Sequence, residues 1–219
     1  MGERWFGHPD AQHGPHATGP EPVADEHHFD PEHLLMHEAQ LRARLDPADV
    51  LRELFGGDER LVVDVGAGVG TWSMAAAALL PGASVLAVDR QADMVAVLEG
   101  RFRAASFTNA TAVQADAEAL PVADGAADAV LMTMVLHDLR NADAALVEAF
   151  RALGPDGRLV IIEFHPDAPD DGPPRERLVR PERLAEMVAA AGFGSSRWVL
   201  GPGPFYRLVA RPVAPADRA

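Results

Sequence analysis

The chain has 219 residues, a formal net charge of −14 and a 48% hydrophobic fraction: enough apolar material for one sizeable core, and too acidic a surface for nucleic acid to be an expected partner. Its basic residues are all arginine, with no lysine and no cysteine, which excludes Schiff-base lysines, lysine-dependent phosphate loops, thiolate nucleophiles and disulfides. No basic-then-apolar leader and no apolar run of membrane-spanning length is present, so a cytoplasmic location and a small-molecule partner are expected, for a monomer or homodimer.

Residues 1–29 are rich in Pro, Gly and His and lack hydrophobic periodicity, the pattern of a flexible arm. Seven of the nine histidines fall at positions 8, 13, 16, 27, 28, 33 and 37. His33 and His37, four apart, share one face of a helix and would hold a divalent metal such as zinc if His27 or His28 folded back. No strict structural-zinc spacing accompanies them, and a solvated arm is the simpler reading.

Asp30 before Pro31 predicts a capped helix start, with Leu34, Leu35, Leu41 and Leu45 at roughly helical spacing and Asp46-Pro47 as its end. A second helix is expected over Ala48–Phe55, closing at Gly56-Gly57, so that 30–57 forms a helical cap. Residues 58–212 then carry the main domain, and 213–219 a short tail.

Leu61–Val65 is an apolar strand running into Gly66-Ala67-Gly68-Val69-Gly70 and then a helix from Thr71, the arrangement of a nucleoside-binding loop. The third glycine falls two positions after the second, where the dinucleotide fingerprint would place it three after, which weakens a pyrophosphate reading. The next strand, Ser84–Val88, ends at Asp89, whose two carboxyl oxygens suit the two ribose hydroxyls. A third strand over 111–115 ends at Asp116-Ala117, where a short acceptor can meet an adenine amine; a turn or capping role for Asp116 is the alternative.

Strand and helix alternate from there, with helices near 71–80, 91–105, 141–153 and 181–191, which predicts a parallel sheet with helices on both faces. Two closing strands, 195–200 and 205–210, flank Gly201-Pro202-Gly203-Pro204 and should pair antiparallel. His137 and Asp138 follow the fourth strand at the carboxyl edge of the sheet, where open α/β folds bind ligands, and either is a candidate acid–base group. His165, after the fifth strand, is a third candidate, and the polar loop 165–177 brings Arg175 and Arg177 near the same edge, with solvated arginine as the default.

In order, the runs Asp64–Gly70, Asp89, Asp116-Ala117 with Leu120-Pro121-Val122, Asp128–Leu139 and Ala149–Phe164 resemble the class I S-adenosylmethionine-dependent methyltransferases, in particular their small-molecule type 11 branch. The resemblance covers about residues 48–210, with Asp156 splitting the usual turn glycines. It implies a Rossmann-like seven-stranded sheet, mostly parallel with an antiparallel C-terminal strand, and a helical lid. It also implies S-adenosylmethionine held by Asp64, Gly66, Ala67, Gly68, Gly70, Thr71, Asp89, Arg90, Met94, Asp116, Ala117 and Thr133. The implied activity is methyl transfer to an unidentified small molecule. A noncatalytic cofactor- or metal-binding sensor and an NAD(P)-dependent oxidoreductase are the competing readings, the latter disfavoured by the glycine spacing and the closing strand pair.

Overall fold

The structure is a computed structural model that describes residues 28–167, 173–200 and 204–213. Most of the 1–29 arm, including His8, His13, His16 and His27, lies outside the described residues, as do the middle of the 165–177 loop and all of the 213–219 tail except Val213.

Two helices come first. α1, Pro31–Arg44, starts as expected: Asp30 accepts from the Glu32 N–H at 2.9 Å and Pro31 occupies the first turn. Asp46-Pro47 ends α1 and also starts α2, Pro47–Leu54, because Asp46 accepts from the Ala48 N–H at 2.8 Å. The second helix therefore begins one residue before the expected Ala48.

Strands and helices then alternate: β1 Leu61–Val65, α3 Thr71–Leu79, β2 Ser84–Asp89, α4 Ala92–Ala104, β3 Ala110–Gln114, β4 Ala127–Thr133, α5 Ala142–Ala152, β5 Leu153–Phe164, α6 Pro181–Ala190, β6 Phe193–Leu200 and β7 Phe205–Pro212. They build one seven-stranded sheet in the order β3-β2-β1-β4-β5-β7-β6. β1 to β5 pair in parallel, whereas β7 runs antiparallel to both β5 and β6. The expected mostly parallel sheet with its reversed C-terminal strand is thus present. β5 begins earlier than the sequence predicts, since Leu153 already pairs with Ala127 before a register shift carries the strand through the turn residues Gly154–Gly157.

The central strands read as continuous apolar runs because both faces of the sheet are covered. Val63, Val65, Leu159 and Ile161 enter one core with α5 and α6; Val62, Val160 and Ile162 enter the other with α2 and α3. Side chains alternate across a strand, so this parity aims Asp64 toward α3 and Glu163 toward the opposite face. Strand order reverses between β1 and β4, and the crevice outside the carboxyl ends of these strands is where such sheets bind ligands. Among the described residues, no helix is long and apolar enough to cross a membrane.

Candidate cofactor and acceptor site

A largely apolar cavity occupies that crevice, floored by the ends of β1, β2 and β4 and roofed by α1. The turn after β1 is fixed by its own backbone. Gly66 and Ala67 N–H both donate to the Val88 carbonyl, at 2.8 and 3.0 Å, and Gly70 N–H donates to Ala67 O at 2.8 Å. Gly68 N–H donates instead to Asp89 Oδ2 at 2.8 Å, while Asp89 Oδ1 accepts from Gln91 N–H at 2.9 Å. Asp89 lines the cavity with both oxygens oriented by amides, and each oxygen retains acceptor capacity for a hydroxyl. Burial raises its carboxyl above the ordinary aspartate value, against the lowering influence of the two amides.

The three glycines of the loop have different jobs. Gly66 and Gly68 line the cavity; Gly70 does not. A Cβ at Gly70 would stand 2.4 Å from Leu98 Cδ2, so the third glycine lets α3 pack on α4 and is not expected to touch a ligand. Asp64 also lies outside the cavity lining. It is fully buried, its Oδ2 accepts from Ser73 Oγ at 2.5 Å, and its Oδ1 has no hydrogen-bond partner among the described residues.

Burial pushes the Asp64 carboxyl up to about 7 despite the Ser73 bond. A carboxyl raised in the folded state binds its proton there while the unfolded chain has released it. This contribution to stability is therefore complete below about pH 4 and is lost as pH rises to about 7. Asp64→Asn should abolish that loss, so the variant's Tm relative to the parent should climb between pH 5 and 8, by the equivalent of up to about 3 kcal/mol. A difference independent of pH would mean that Asp64 does not titrate in this range.

Of the other residues that the resemblance nominates, Ala67, Thr71, Arg90, Met94, Asp116, Ala117 and Thr133 line the cavity. Asp116 also keeps its local role: Oδ1 accepts from Glu118 N–H at 3.0 Å, which leaves Oδ2 on the side of Arg140 at 3.8 Å. The two alternatives for Asp116 are thus compatible.

α1 has no fully buried residue and is held by polar clamps. Arg101 donates to both oxygens of Glu38, at 2.8 and 3.0 Å, and to Val69 O at 2.6 Å, tying helix, glycine loop and α4 together. Phe29 exchanges two 2.9 Å hydrogen bonds with the Gln91 side chain. Periodicity did not single out Arg101, Glu38 or Gln91, whose partners lie 62 or 63 residues away.

His33 and His37 also line the cavity, with ring centroids 4.4 Å apart. His28 pairs with Asp93 at 3.1 Å and does not join them. Among the described residues, no group of three or more His, Cys, Asp or Glu side chains is arranged to hold a metal ion.

The acid–base candidates separate. His137 and Asp138, in a short helical turn over Leu136–Asp138, line the cavity. His165 does not: its Nδ1 accepts from Asp167 N–H at 3.2 Å and its ring meets the edge of Tyr206. His137 Nδ1 is 2.7 Å from Glu163 Oε2, both side chains are buried, and Glu163 Oε1 accepts from Leu136 N–H at 2.8 Å. Nε2 stands 3.4 Å from Asp138 Oδ2, and Arg177 pairs with Asp138 Oδ1. Burial disfavours a charged His137, but the negative charges of Glu163 and Asp138 outweigh burial and the Arg177 cation, so its pKa is raised. Arg177 therefore meets a protein carboxyl rather than solvent alone.

Glu163 was missed from sequence. Its signal was an acidic residue closing the apolar run Leu159–Ile162, since an acid is seldom fully buried without a partner.

Comparison with known proteins agrees with this geometry. Residues 62–157 match the model of a methyltransferase domain family. A demethylmenaquinone methyltransferase of Thermus thermophilus is 33% identical over 133 residues, 61% of this chain and 59% of that protein. A malonyl-[acyl-carrier protein] O-methyltransferase of Xylella fastidiosa is 32% identical over 143 residues, 64% of this chain and 46% of its own length. The chain thus spans about half to three-fifths of these relatives. Among solved structures, an S-adenosylmethionine-dependent methyltransferase from Aquifex aeolicus superposes with a TM-score of 0.78 at 25% identity, over 85% of this chain and 100% of that one. Neither the sensor nor the oxidoreductase reading gains support from these similarities.

Proposed function

We propose, from the match of residues 62–157 to a methyltransferase domain family and the likeness to the proteins above, that the chain is a class I S-adenosylmethionine-dependent methyltransferase that binds S-adenosylmethionine across the carboxyl ends of β1 to β4 and methylates an O, N or C atom of a small molecule. The observation that carries this reading is Asp89: a carboxyl with both oxygens oriented by backbone amides, facing the cavity beside a glycine turn at the reversal of strand order.

The donor set fits the group. Asp89 would take the ribose hydroxyls and Asp116 with Ala117 the adenine edge, and Met94, which lines the same cavity, would offer them an apolar contact. Gly66, Ala67, Gly68, Thr71 and Thr133 would border the amino-acid portion, with Arg90 at the rim and Asp64 and Gly70 supporting the loop from behind. The bound cofactor supplies a methyl group already activated by its sulfonium.

What remains for the chain is to orient an acceptor, exclude water and, for acceptors that need it, remove a proton. α1 supplies the exclusion, clamped by Arg101 and Gln91. His137 and Asp138 are the acid–base candidates by position, whereas His165 lies outside the cavity lining. The two relatives are named for chemically different acceptors, a demethylmenaquinone and a malonyl-acyl-carrier protein, so likeness to them does not choose one. A cytoplasmic monomer or homodimer without a nucleic-acid partner belongs to the same proposal, and among the described residues no third ligand supports a zinc role for His33 and His37.

Calorimetric titration of the metal-free protein with S-adenosylmethionine, S-adenosylhomocysteine and NAD(P)H tests the reading. The first two should bind selectively with Kd in the micromolar range, roughly −8 kcal/mol. No heat from either, or tighter binding of NAD(P)H, would overturn it.

A further inference from the structure

Outside the cofactor-side residues, His137 and Asp138 line the cavity and are backed by Glu163 and Arg177, which do not, a cluster the reading above does not fully use, drawn from the turn after β4, the end of β5 and the loop before α6. His137 lies between two carboxyl groups that contact it differently. Glu163 approaches Nδ1 at 2.7 Å, a short, close hydrogen bond; Asp138 approaches Nε2 at 3.4 Å, beyond the usual hydrogen-bond range.

Glu163 is itself immobilised. Its second oxygen is engaged by the Leu136 N–H, its backbone pairs with Tyr206 on β7, and its side chain is excluded from solvent. The bonded ring nitrogen of a histidine determines its tautomer. A carboxyl fixed at Nδ1 therefore places the proton on Nδ1 and the lone pair on Nε2, the nitrogen on the Asp138 side of the ring.

We propose, resting on the methyl-transfer reading, that Glu163 is the positioning residue of a buried proton-acceptor pair with His137, built for an acceptor that must surrender a hydroxyl proton, such as a phenol or enol. The acceptor O–H bond breaks and its proton passes to His137 Nε2. The acceptor's electron pair forms the new bond to the methyl carbon, and the pair of the broken carbon–sulfur bond stays on sulfur. Asp138 then faces the imidazolium through Nε2, and Arg177 keeps its carboxyl to one side. Acceptors with no proton to lose, such as thioethers and tertiary amines, draw nothing from this pair.

The charged and titratable groups facing the ring are Glu163 from β5, Asp138 from the same turn and Arg177 from the loop before α6. Tyr206 stands behind Glu163 with its hydroxyl donated to Val179 O at 2.8 Å. The raised pKa of His137 agrees with two anions outweighing burial and one cation.

The test uses the full chain labelled with ¹⁵N-histidine and needs no acceptor. His137 is assigned by the signal lost in His137→Gln. Wild-type His137 should be the Nδ1–H tautomer when neutral and should titrate above 6.5. Glu163→Gln, which keeps an acceptor for Leu136 N–H and so turns its NH2 toward Nδ1, should lower that midpoint by about one unit or more and shift the neutral ring toward the Nε2–H tautomer. Glu163→Asp should restore part of the shift.

An Nε2–H tautomer in the wild type, readable even if no variant folds, overturns the proposal. So does an unchanged midpoint in folded Glu163→Gln. Calorimetry with S-adenosylmethionine on the same samples separates the two ideas. Unaltered cofactor binding with an unmoved His137 sinks the pair alone, whereas absent binding in the wild type sinks the methyl-transfer reading whatever the histidine does. Once an acceptor is found, the acid limb of its kcat/KM profile should move to lower pH in Glu163→Gln.

Discussion

Asp89→Ala is expected to lower the affinity for S-adenosylmethionine by about 2 to 3 kcal/mol, about 30- to 150-fold in Kd. Two effects add. The variant removes the only carboxyl at the end of β2, and with it the charge-assisted acceptors for a ligand's hydroxyls. It also releases the N–H groups of Gly68 and Gln91, which Asp89 holds at 2.8 and 2.9 Å, so the glycine turn and the start of α4 lose their common anchor. Asp89→Asn separates the contributions: one amide oxygen can keep one of those N–H groups, but the charge is gone, so the loss should be smaller. Calorimetry reads both. An affinity unchanged in Asp89→Ala would remove Asp89 from the site.

The glycine loop supplies the second large effect, in two distinguishable forms. Gly66 has φ +67°, and a Cβ there would stand 2.3 Å from Val135 Cγ2 and 3.0 Å from Val135 Cβ. Val135 is branched and buried, so it cannot swing aside at little cost. Left-handed strain and overpacking together should make Gly66→Ala cost about 2 to 4 kcal/mol of stability, a Tm lower by about 5 to 15 °C.

Gly68 has φ +52°, but its nearest neighbour in the Cβ direction is Leu34 Cδ1 at 3.6 Å, across the cavity. Gly68→Val should keep a folded protein, losing about 1 to 2 kcal/mol to backbone strain, and should fail to bind S-adenosylmethionine because its branches fill the space the ligand needs. Melting curves and calorimetry on the pair distinguish a packing glycine from a ligand-facing one. Equal loss of stability in both would mean the loop is a single packed unit and the cavity is misplaced.

The same comparison shows what the motif alone left open. Three glycines at positions 66, 68 and 70 mark a strand-to-helix turn with positive φ. Spacing does not tell which neighbour each lacks a Cβ for; Leu98, 28 residues beyond Gly70 in sequence, decides that for the third.

Histidine was legible in the same uneven way. His137 and His165 both stand after apolar strands, at what reads as the same sheet edge. The turn over Leu136–Asp138 carries the first into the cavity, while the pairing of β5 with β7 sets the second against Tyr206.

Legible in the chain alone were the order of strands and helices, the cap at Asp30, the break at Asp46-Pro47, the parallel character of the buried runs and the acid at the end of β2. Those features depend on periodicity and on chemistry within a few residues, where the chain's own covalent geometry sets who meets whom. It took the tertiary structure to show that Asp64 is buried with one oxygen lacking a partner among the described residues, that Arg101 clamps Glu38 across the roof, and that Glu163 meets His137. These contacts join residues 9 to 63 positions apart, and their geometry is set by strand register and by which helix crosses which strand end. A buried ionisable group must find its partner through that packing, because water is no longer there to serve as one.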